Sequence, residues 1–112
     1  MAATESRTEP YAEGTPLVVL FGTPARTKIV AALLGEGGRD CNTSDIARLA
    51  GVARSTVYDH IDDLEALGIV ERTRTVGPSQ MYRIDRENEI VRHIEAIEGL
   101  TLRRLYELDG EL

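Results

Sequence analysis

The sequence predicts an α+β fold, mainly α, in which a helix-turn-helix and a β-hairpin precede one long C-terminal helix. Three observations support this prediction. Apolar residues recur at helical spacing in four segments, glycines lie between those segments, and one stretch near the middle alternates with the period of a strand. A chain of 112 residues is long enough for one small domain with its own core.

The N-terminal region has two parts. Residues 1–16 hold Thr, Glu, Ser, Pro and Gly with little periodic apolar content, so we interpret them as a flexible tail. After the apolar block LVVLFG, Thr23 is a predicted N-cap, Pro24 occupies the first helical position and Gly35 ends the first helix. The predicted core face of this helix consists of Ile29, Val30, Leu33 and Leu34.

A second, short helix follows the turn GEGGRD. Thr43 is its predicted N-cap, and Ile46, Leu49 and Ala50 are predicted to face inward. Gly51 then makes a sharp break in the chain.

The third predicted helix runs from about residue 53 to residue 67 and stops at Gly68. At about 100° per residue, Val57, Ile61 and Leu64 fall on one face and point toward the first two helices. Helix, tight glycine turn and helix form the helix-turn-helix pattern.

A β-hairpin is predicted next. IVERTRT alternates as a strand, VGPSQ provides a five-residue loop, and MYRI is the return strand. A hairpin in this position is a wing, so residues 17–84 are predicted to form a winged helix-turn-helix domain.

The last segment, residues 85–112, is predicted to be a long helix capped by Asp85. Its apolar stripe is too long for so small a domain to cover, so we predict that it pairs with the same helix of a second subunit. Gly99 in this helix either lets two helices approach closely or marks a kink. The predicted dimer interface consists of Ile90, Val91, Ile94, Ile97, Leu102, Leu105 and Leu108.

Three motifs carry a family resemblance. IARLAGV, STVY and LGIVE, in this order, resemble the winged helix-turn-helix transcription regulators of the ArsR and MarR type over about residues 23–84. The resemblance implies a dimer that places the third helix in the major groove of double-stranded DNA and the wing beside the minor groove. It also implies sequence-specific transcription control. Repression by blocking polymerase is the simplest outcome, and activation is the alternative.

Polar residues suited to DNA contact lie at the start of the second helix, on the outer face of the third and on the wing. Hydroxyl groups donate to phosphates or bases, and Arg54 neutralises a phosphate or reads guanine. Arg72 and Arg74 are predicted to share one side of the wing because side chains alternate along a strand. The predicted DNA-binding residues are Thr43, Ser44, Arg54, Ser55, Thr56, Tyr58, Asp59, Arg72, Arg74, Ser79, Gln80 and Arg83.

Structural roles are alternatives for several of these residues. Ser55 and Thr56 are also candidates for helix capping. Arg72 has the alternative of an ion pair with Glu71 or a neighbouring carboxylate on a solvated hairpin. His60 falls toward the packed side of the third helix and is interpreted as a partly buried structural residue.

Four carboxylates on the third helix are unexpected in a DNA-binding element. We interpret Asp62, Asp63 and Glu65, which lie in the C-terminal half, as a hydrated surface. Asp59 shares the outward face with Ser55, so it is predicted either to accept a hydrogen bond from cytosine N4 or to bind a cation shared with phosphate.

The whole chain is acidic and almost free of lysine. It has 19 acidic and 13 basic residues, and Lys28 is its only Lys. This usage resembles that of proteins from extreme halophiles such as halophilic archaea, whose hydrated carboxylates keep the surface soluble in high salt. An ordinary acidic protein encoded by a GC-rich bacterial genome is the alternative.

Other functions have less support in the sequence. A phosphate-binding glycine loop and a nucleophile elbow are both missing, so an enzyme is not predicted. Cys41, His60 and His93 are scattered, so a transition-metal site would need ligands from both subunits, and no metal or cofactor is predicted. Cys41 is interpreted as a small buried residue just before the second helix, with an oxidation sensor as the alternative. A winged-helix module that binds protein remains an alternative.

The sequence also bears on location. It has neither an apolar run of membrane-spanning length nor the charge order of a signal peptide, so we expect a cytoplasmic protein without a membrane partner. A small-molecule effector, if one exists, is expected at the dimer interface.

Overall fold

The computed structural model describes residues 12–110 as five α-helices and a two-stranded antiparallel sheet. The mainly helical α+β prediction is therefore confirmed. The helices predicted as first, second and third are α2, α3 and α4. The elements in chain order are α1 (Pro16–Phe21), α2 (Pro24–Gly35), α3 (Thr43–Ala50), α4 (Arg54–Ala66), β1 (Val70–Val76), β2 (Ser79–Ile84) and α5 (Glu89–Leu108).

The apolar block LVVLFG, which the sequence left unassigned, forms helix α1. Pro16 occupies its first turn, and Gly22 ends it with a φ of 57°, a left-handed angle that favours glycine. The predicted flexible tail thus overlaps α1 at Pro16, and its residues 1–11 lie outside the described part of the chain. Leu17 and Val18 remain exposed, so α1 lies at the edge of the domain.

Two of the predicted helix caps are wrong, that of α3 by one residue and that of α5 by three residues. α3 is capped by Asn42, whose side chain accepts from the Asp45 amide at 2.8 Å while the Asp45 carboxylate accepts from the Asn42 amide at 3.2 Å. This reciprocal capping box leaves Thr43 inside the first turn. The predicted cap of α2 is confirmed, because Thr23 Oγ1 accepts from the Arg26 amide at 3.3 Å.

The long C-terminal helix α5 begins later than predicted. Asn88, rather than Asp85, is its N-cap, and the Asn88 side chain accepts from the amides of Ile90 and Val91 at 2.7 and 3.2 Å. Asp85 instead accepts from the Glu87 amide and stabilises the turn before the helix. Two bonded amides at Asn88 outweigh the single turn contact that Asp85 makes.

The core lies where α2, α3 and α4 meet the hairpin. The inward face predicted for α4 is confirmed, because Val57, Ile61 and Leu64 are at most 2% exposed. Leu49, predicted to face inward from α3, is 39% exposed instead. The buried face of α3 is centred on Ile46 and its neighbour Ala47, so Leu49 falls at the edge of that face.

The hairpin is tighter than predicted. β1 continues to Val76 and β2 begins at Ser79, so Gly77 and Pro78 alone form the turn and the predicted five-residue loop is wrong. Gly77 has a φ of 59°, which suits a two-residue hairpin turn. Cys41 pairs with Tyr82 through two backbone hydrogen bonds of 2.7 and 2.8 Å, which attaches the loop before α3 to the wing.

α5 has a buried start and an exposed remainder. Val91 and Ile94 are 0% and 9% exposed within the core of their own chain, and Ile90 packs against that core. These three residues of the predicted dimer stripe are therefore used by the protomer itself. The remaining members, Ile97, Leu102, Leu105 and Leu108, are all more than half exposed. Across residues 12–110, no helix has the length and apolar character needed to cross a membrane.

Candidate nucleic-acid interface

A cleft of about 290 Å³ opens between α3, α4 and the tip of the hairpin, and we call it the wing cleft. Six of the twelve residues predicted to contact DNA line it, because the fold places the start of α3, the outer side of α4 and the wing side by side. The lining residues are Asn42, Thr43, Ser44, Arg54, Tyr58, Pro78, Ser79, Gln80 and Tyr82.

Tyr58 is the centre of the polar side of the wing cleft. Its hydroxyl oxygen accepts hydrogen bonds from Thr43 Oγ1 at 3.2 Å and from Arg54 Nη2 at 3.4 Å. These two bonds, first that of Thr43 and then that of Arg54, lower the pKa of the Tyr58 phenol. The Tyr58 side chain is 51% exposed, and Arg54 makes no ion pair with any residue in the range 12–110. Arg54 is therefore a cation available to an incoming phosphate or base.

The outer face of α4 has the polarity that the helical spacing predicts. Ser55 and Asp59 are exposed, and Thr56 is half-buried beside them. The N-cap of α4 is Ala53, which has no side-chain oxygen, so the capping role considered for Ser55 and Thr56 is not the one they have.

Arg72 lies on the side of the wing that covers the core. It stands opposite Tyr82 in the hairpin, its guanidinium lies 5.8 Å from the centroid of the Tyr82 ring, and its Nε donates to Glu65 at 3.0 Å. This ion pair with a neighbouring carboxylate is the alternative considered for Arg72, with Glu65 in the place of Glu71. Glu71 pairs instead with Arg83 across the hairpin at 2.8 Å.

Arg74 is also paired within the chain. Its Nε donates to Asp40 Oδ2 at 3.0 Å, and Thr73 Oγ1 donates to the same oxygen at 2.7 Å. A register shift between Arg72 and Thr75 interrupts the alternation of the strand, so the neighbours Thr73 and Arg74 reach one carboxylate while Arg72 reaches α4. The prediction that Arg72 and Arg74 share one side of the wing is therefore wrong.

The charge of the wing is consequently neutralised from within. The hydrogen bonds from Arg74 and Thr73 lower the pKa of Asp40 from 3.8 to about 2, so its carboxylate stays ionised across the neutral range. Sequence reasoning missed Asp40, because its partners lie more than 30 residues away and no local pattern indicates the contact.

The acidic half of α4 also has specific partners. Asp63 accepts from the buried Arg26 of α2 at 2.6 Å, and Glu65 accepts from Arg72. Both acids therefore have ion-pair partners that the hydrated-surface interpretation did not include, although the Asp63 side chain is 65% exposed, whereas Asp62 is exposed and has no ion-pair partner among the residues described. His60 is half-buried, and its Nδ1 accepts from Arg26 Nε at 3.0 Å.

Cys41 occupies a packed position. Its side chain is 2% exposed, and burial raises the pKa of the thiol, which disfavours the reactive thiolate. Within residues 12–110, no group of three His, Cys, Asp or Glu side chains is arranged to hold a metal ion.

The helix-turn-helix, the wing and the polar cleft between them define a winged helix-turn-helix domain, the class of fold found in DNA-binding transcription regulators. Residues 23–72 match the family model described as bacterial regulatory protein, arsR family. The chain has the fold of the ArsR-family DNA-binding transcription regulators.

Solved structures support this assignment of the fold. The AntR antimony-specific transcriptional repressor superposes with a TM-score of 0.61 at 24% identity, over 93% of this chain and 91% of that one. A possible transcriptional regulator from Methanosarcina mazei Go1 has a TM-score of 0.55 at 23% identity, over 83% and 84% of the two chains. Sso10a-2, a DNA-binding protein from Sulfolobus solfataricus, has a TM-score of 0.54 at 20% identity, over 75% and 87%. No curated protein matches by sequence.

Proposed function

We propose that the protein is a sequence-specific transcription regulator, acting as a repressor, that binds double-stranded DNA as a homodimer. α4 enters the major groove and the wing lies at the minor groove. Two reading heads on a two-fold axis recognise a roughly palindromic operator with half-sites about one helical turn apart. The wing cleft is the observation that carries this proposal, because it joins polar groups of α3, α4 and the wing on one exposed surface.

The residues at the mouth of the cleft have separate tasks in this proposal. Arg54 and Tyr58, with Thr43 behind them, contact the sugar-phosphate backbone and an adjacent base edge. Ser55, Thr56 and Asp59 approach bases from the outer face of α4. Ser79 and Gln80 extend the contact at the tip of the wing, although Gln80 Nε2 already donates to backbone carbonyl oxygens of the hairpin.

The dimer is supported by the exposed part of α5. Ile97, Leu102, Leu105 and Leu108 are between 51% and 73% exposed, and Leu100 is 64% exposed. A contiguous apolar surface on a helix that has left its own core is suited to a second copy of the same helix. Sedimentation of the wild-type protein and of Leu105→Glu tests this, because the substitution should disrupt the dimer. A variant with the same mass as the wild-type dimer would place the interface elsewhere.

A high-salt environment fits both the acidic composition and the internal pairing of the wing. Arg72, Arg74 and Arg83 each have a carboxylate partner within the chain, so DNA binding releases few counter-ions through them. We therefore propose that the protein belongs to a salt-adapted cell and binds its operator with a shallow dependence on salt.

Binding selection from random duplexes in molar potassium chloride, followed by anisotropy titration of the recovered sequence, is the direct test. Enrichment of a palindrome that the purified dimer binds more tightly than a scrambled duplex supports the proposal. If the purified protein binds no duplex at any salt concentration from low to molar, the proposal is wrong.

A protein-interaction module is the second candidate. The observation that favours this function is the pairing of the wing arginines with carboxylates of the same chain. Such pairing is more compatible with a surface that binds protein than with one that binds phosphate. The selection experiment separates the two, because a protein-binding module enriches no sequence.

A further inference from the structure

Arg26 occupies an unusual position for a charged side chain. It lies on α2 one turn before Ile29, is only 8% exposed, and is the one charged residue that is buried in the part of the chain that the structure describes. Burial of a guanidinium costs free energy unless its N–H groups are hydrogen-bonded. The partners of Arg26 therefore indicate its structural role.

The guanidinium bonds to two different helices besides its own. Nη1 donates to the carbonyl oxygen of Val19 in α1 at 2.7 Å. Nε donates to His60 Nδ1 at 3.0 Å, and Nη2 donates to Asp63 Oδ2 at 2.6 Å, both in α4. The guanidinium of Arg26 therefore links α1, at the edge of the domain, to α4, the helix that contributes side chains to the wing cleft.

Each of these contacts gives a hydrogen-bond partner to a polar group of α1 or α4. α1 has only six residues, so its late carbonyl groups lack helical partners, and Arg26 supplies a donor to one of them. Asp63 would otherwise be an unpaired acid on a DNA-binding helix. The fork of an Arg satisfies three acceptors at fixed angles, which the single ammonium of a Lys does not reproduce.

The turn between α1 and α2 lies beside this side chain, and a methyl group added at Gly22 would reach it. Gly22 has a φ of 57°, and a Cβ added there would lie 3.4 Å from Cδ and 3.5 Å from Nε of Arg26. A shift of α1 relative to α2 therefore acts on the guanidinium through the Val19 carbonyl.

α1 also forms one wall of an apolar pocket of about 130 Å³ against α2 and α5. Leu20 and Phe21 of α1 face Val30 of α2 and Ile94 and Ile97 of α5 across it. Anything that occupies or reshapes this wall, including a change in the position of α5, acts on α1 and hence on Arg26.

We propose that Arg26 is a positioning residue that couples the placement of α1 to the orientation of α4. The role of α4 in reading DNA rests on the function proposed above, whereas the mechanical link between the two helices does not. A coupling of this kind is a property of the two-helix arrangement and is measurable in the protein without DNA.

Hydrogen exchange of the DNA-free protein tests the link with Asp63→Asn, Arg26→Lys and the matched control Asp62→Asn. We expect the first two variants to speed exchange of the α1 amides and of Gly22 by about tenfold, the effect of losing one charge-assisted hydrogen bond. The β1 and β2 amides, which do not contact Arg26, should change less than about twofold on the same scale. Asp62→Asn, on the same helix but away from Arg26, should leave α1 unchanged.

Three outcomes would overturn the link. These are unchanged α1 exchange in Asp63→Asn, equal acceleration in α1 and the wing, and wild-type exchange in Arg26→Lys. The second outcome would indicate a general loss of stability, and the third would show that the hydrogen bonds of the guanidinium do not hold α1 in place.

A reciprocal test perturbs α1 and observes α4. Gly22→Ala should shift the His60 ring-nitrogen resonances, which report the bond from Arg26 Nε, while Gly14→Ala, a glycine with a φ of 78° and open space around it, should not. Unshifted His60 resonances in Gly22→Ala would contradict the coupling. If the wild-type protein binds its selected operator, Asp63→Asn should weaken that binding about tenfold and Asp62→Asn should not. A wild-type protein that binds no DNA refutes the proposed function, while the exchange data still decide the link.

Discussion

Arg74 and Asp40 join the wing to the body of the domain, with Arg74 Nε 3.0 Å from Asp40 Oδ2. Asp40 lies next to Cys41, whose backbone pairs with Tyr82 of β2, so the backbone beside Asp40 is attached to the wing. The same contact that attaches Arg74 of the wing also pairs its positive charge. If the wing contacts DNA as proposed, Asp40 is therefore expected to reduce its attraction for phosphate.

Asp40→Asn should increase DNA affinity at low salt. The substitution leaves Arg74 without a counter-ion in the chain, so the dependence of log K on log salt should steepen by about one phosphate contact. Anisotropy titrations of the selected duplex at several potassium concentrations measure this slope. Glu87→Gln removes one negative charge from an exposed turn outside the wing and serves as control, and an equal steepening in both variants would show a mere effect of net charge.

The Asp40 contact also predicts a pH response. The folded-state pKa of Asp40 is about 2, below the usual 3.8, so its contribution to stability is complete above the usual value and is lost as the pH falls toward 2. NMR titration of the Asp40 carboxyl carbon should give a midpoint near 2. In Arg74→Gln the midpoint should move toward 3.8, and a wild-type midpoint near 3.8 would show that the ion pair does not form in solution.

Much of the fold is predictable because it rests on short-range patterns. The inward face of α4 follows from helical spacing. The break after α3 follows from the presence of a glycine, since Gly51 adopts the left-handed conformation that ends a helix, with a φ of 73°. α1 is not predictable in this way, since LVVLFG is apolar on all sides and a six-residue apolar run fits a strand as well as a helix. Residue type alone does not decide the cap of α3, since Asn and Thr both cap helices, and it is the bond to the Asp45 amide that identifies Asn42.

The candidate site is predictable only as far as one helix face. The outward positions of Ser55 and Asp59 follow from the phase of α4. The partners of the charged residues do not, because Arg74 and Arg26 find Asp40 and Asp63 at separations of 34 and 37 residues. Tertiary packing therefore decides which arginines are available to DNA, and sequence counting overestimates the positive charge of the wing.

Arg54 should contribute more to DNA binding than Arg72. Arg54→Gln removes a cation that has no ion-pair partner among residues 12–110, so affinity should fall about tenfold and the salt slope should decrease by about one. The double variant Glu65→Gln, Arg72→Gln removes a neutral pair and should change affinity less than about threefold. Equal losses in the two proteins, measured by anisotropy, would show that Arg72 leaves Glu65 to contact DNA.

Asp59 should influence base preference, while Asp62 should not. Both are exposed on α4, but Asp59 lies one turn after Ser55 on the outward face near the wing cleft. Asp59→Ala should relax discrimination at one operator position by about 1 to 3 kcal/mol, the range of a direct contact to a base edge. Repeating the binding selection with each variant measures this, and identical preferences in wild type and Asp59→Ala would remove Asp59 from the recognition surface.

Two glycines should respond to alanine in opposite directions. Gly68 has a φ of 77°, and an added Cβ would lie 2.8 Å from Nδ2 of Asn88, the cap of α5, so Gly68→Ala should destabilise by at least about 1 kcal/mol. Gly99 lies inside the unbroken helix α5 with open space around an added Cβ. Gly99→Ala should therefore stabilise by about 0.5 to 1 kcal/mol through helix propensity.

Urea unfolding at several protein concentrations measures both glycine effects and separates helix propensity from assembly. A concentration-dependent loss of stability in Gly99→Ala would contradict the expected gain, because it would mean that two copies of α5 approach closely at Gly99. A stabilised variant with unchanged sedimentation would place the contact between the copies away from Gly99, on the faces that carry Leu102 and Leu105.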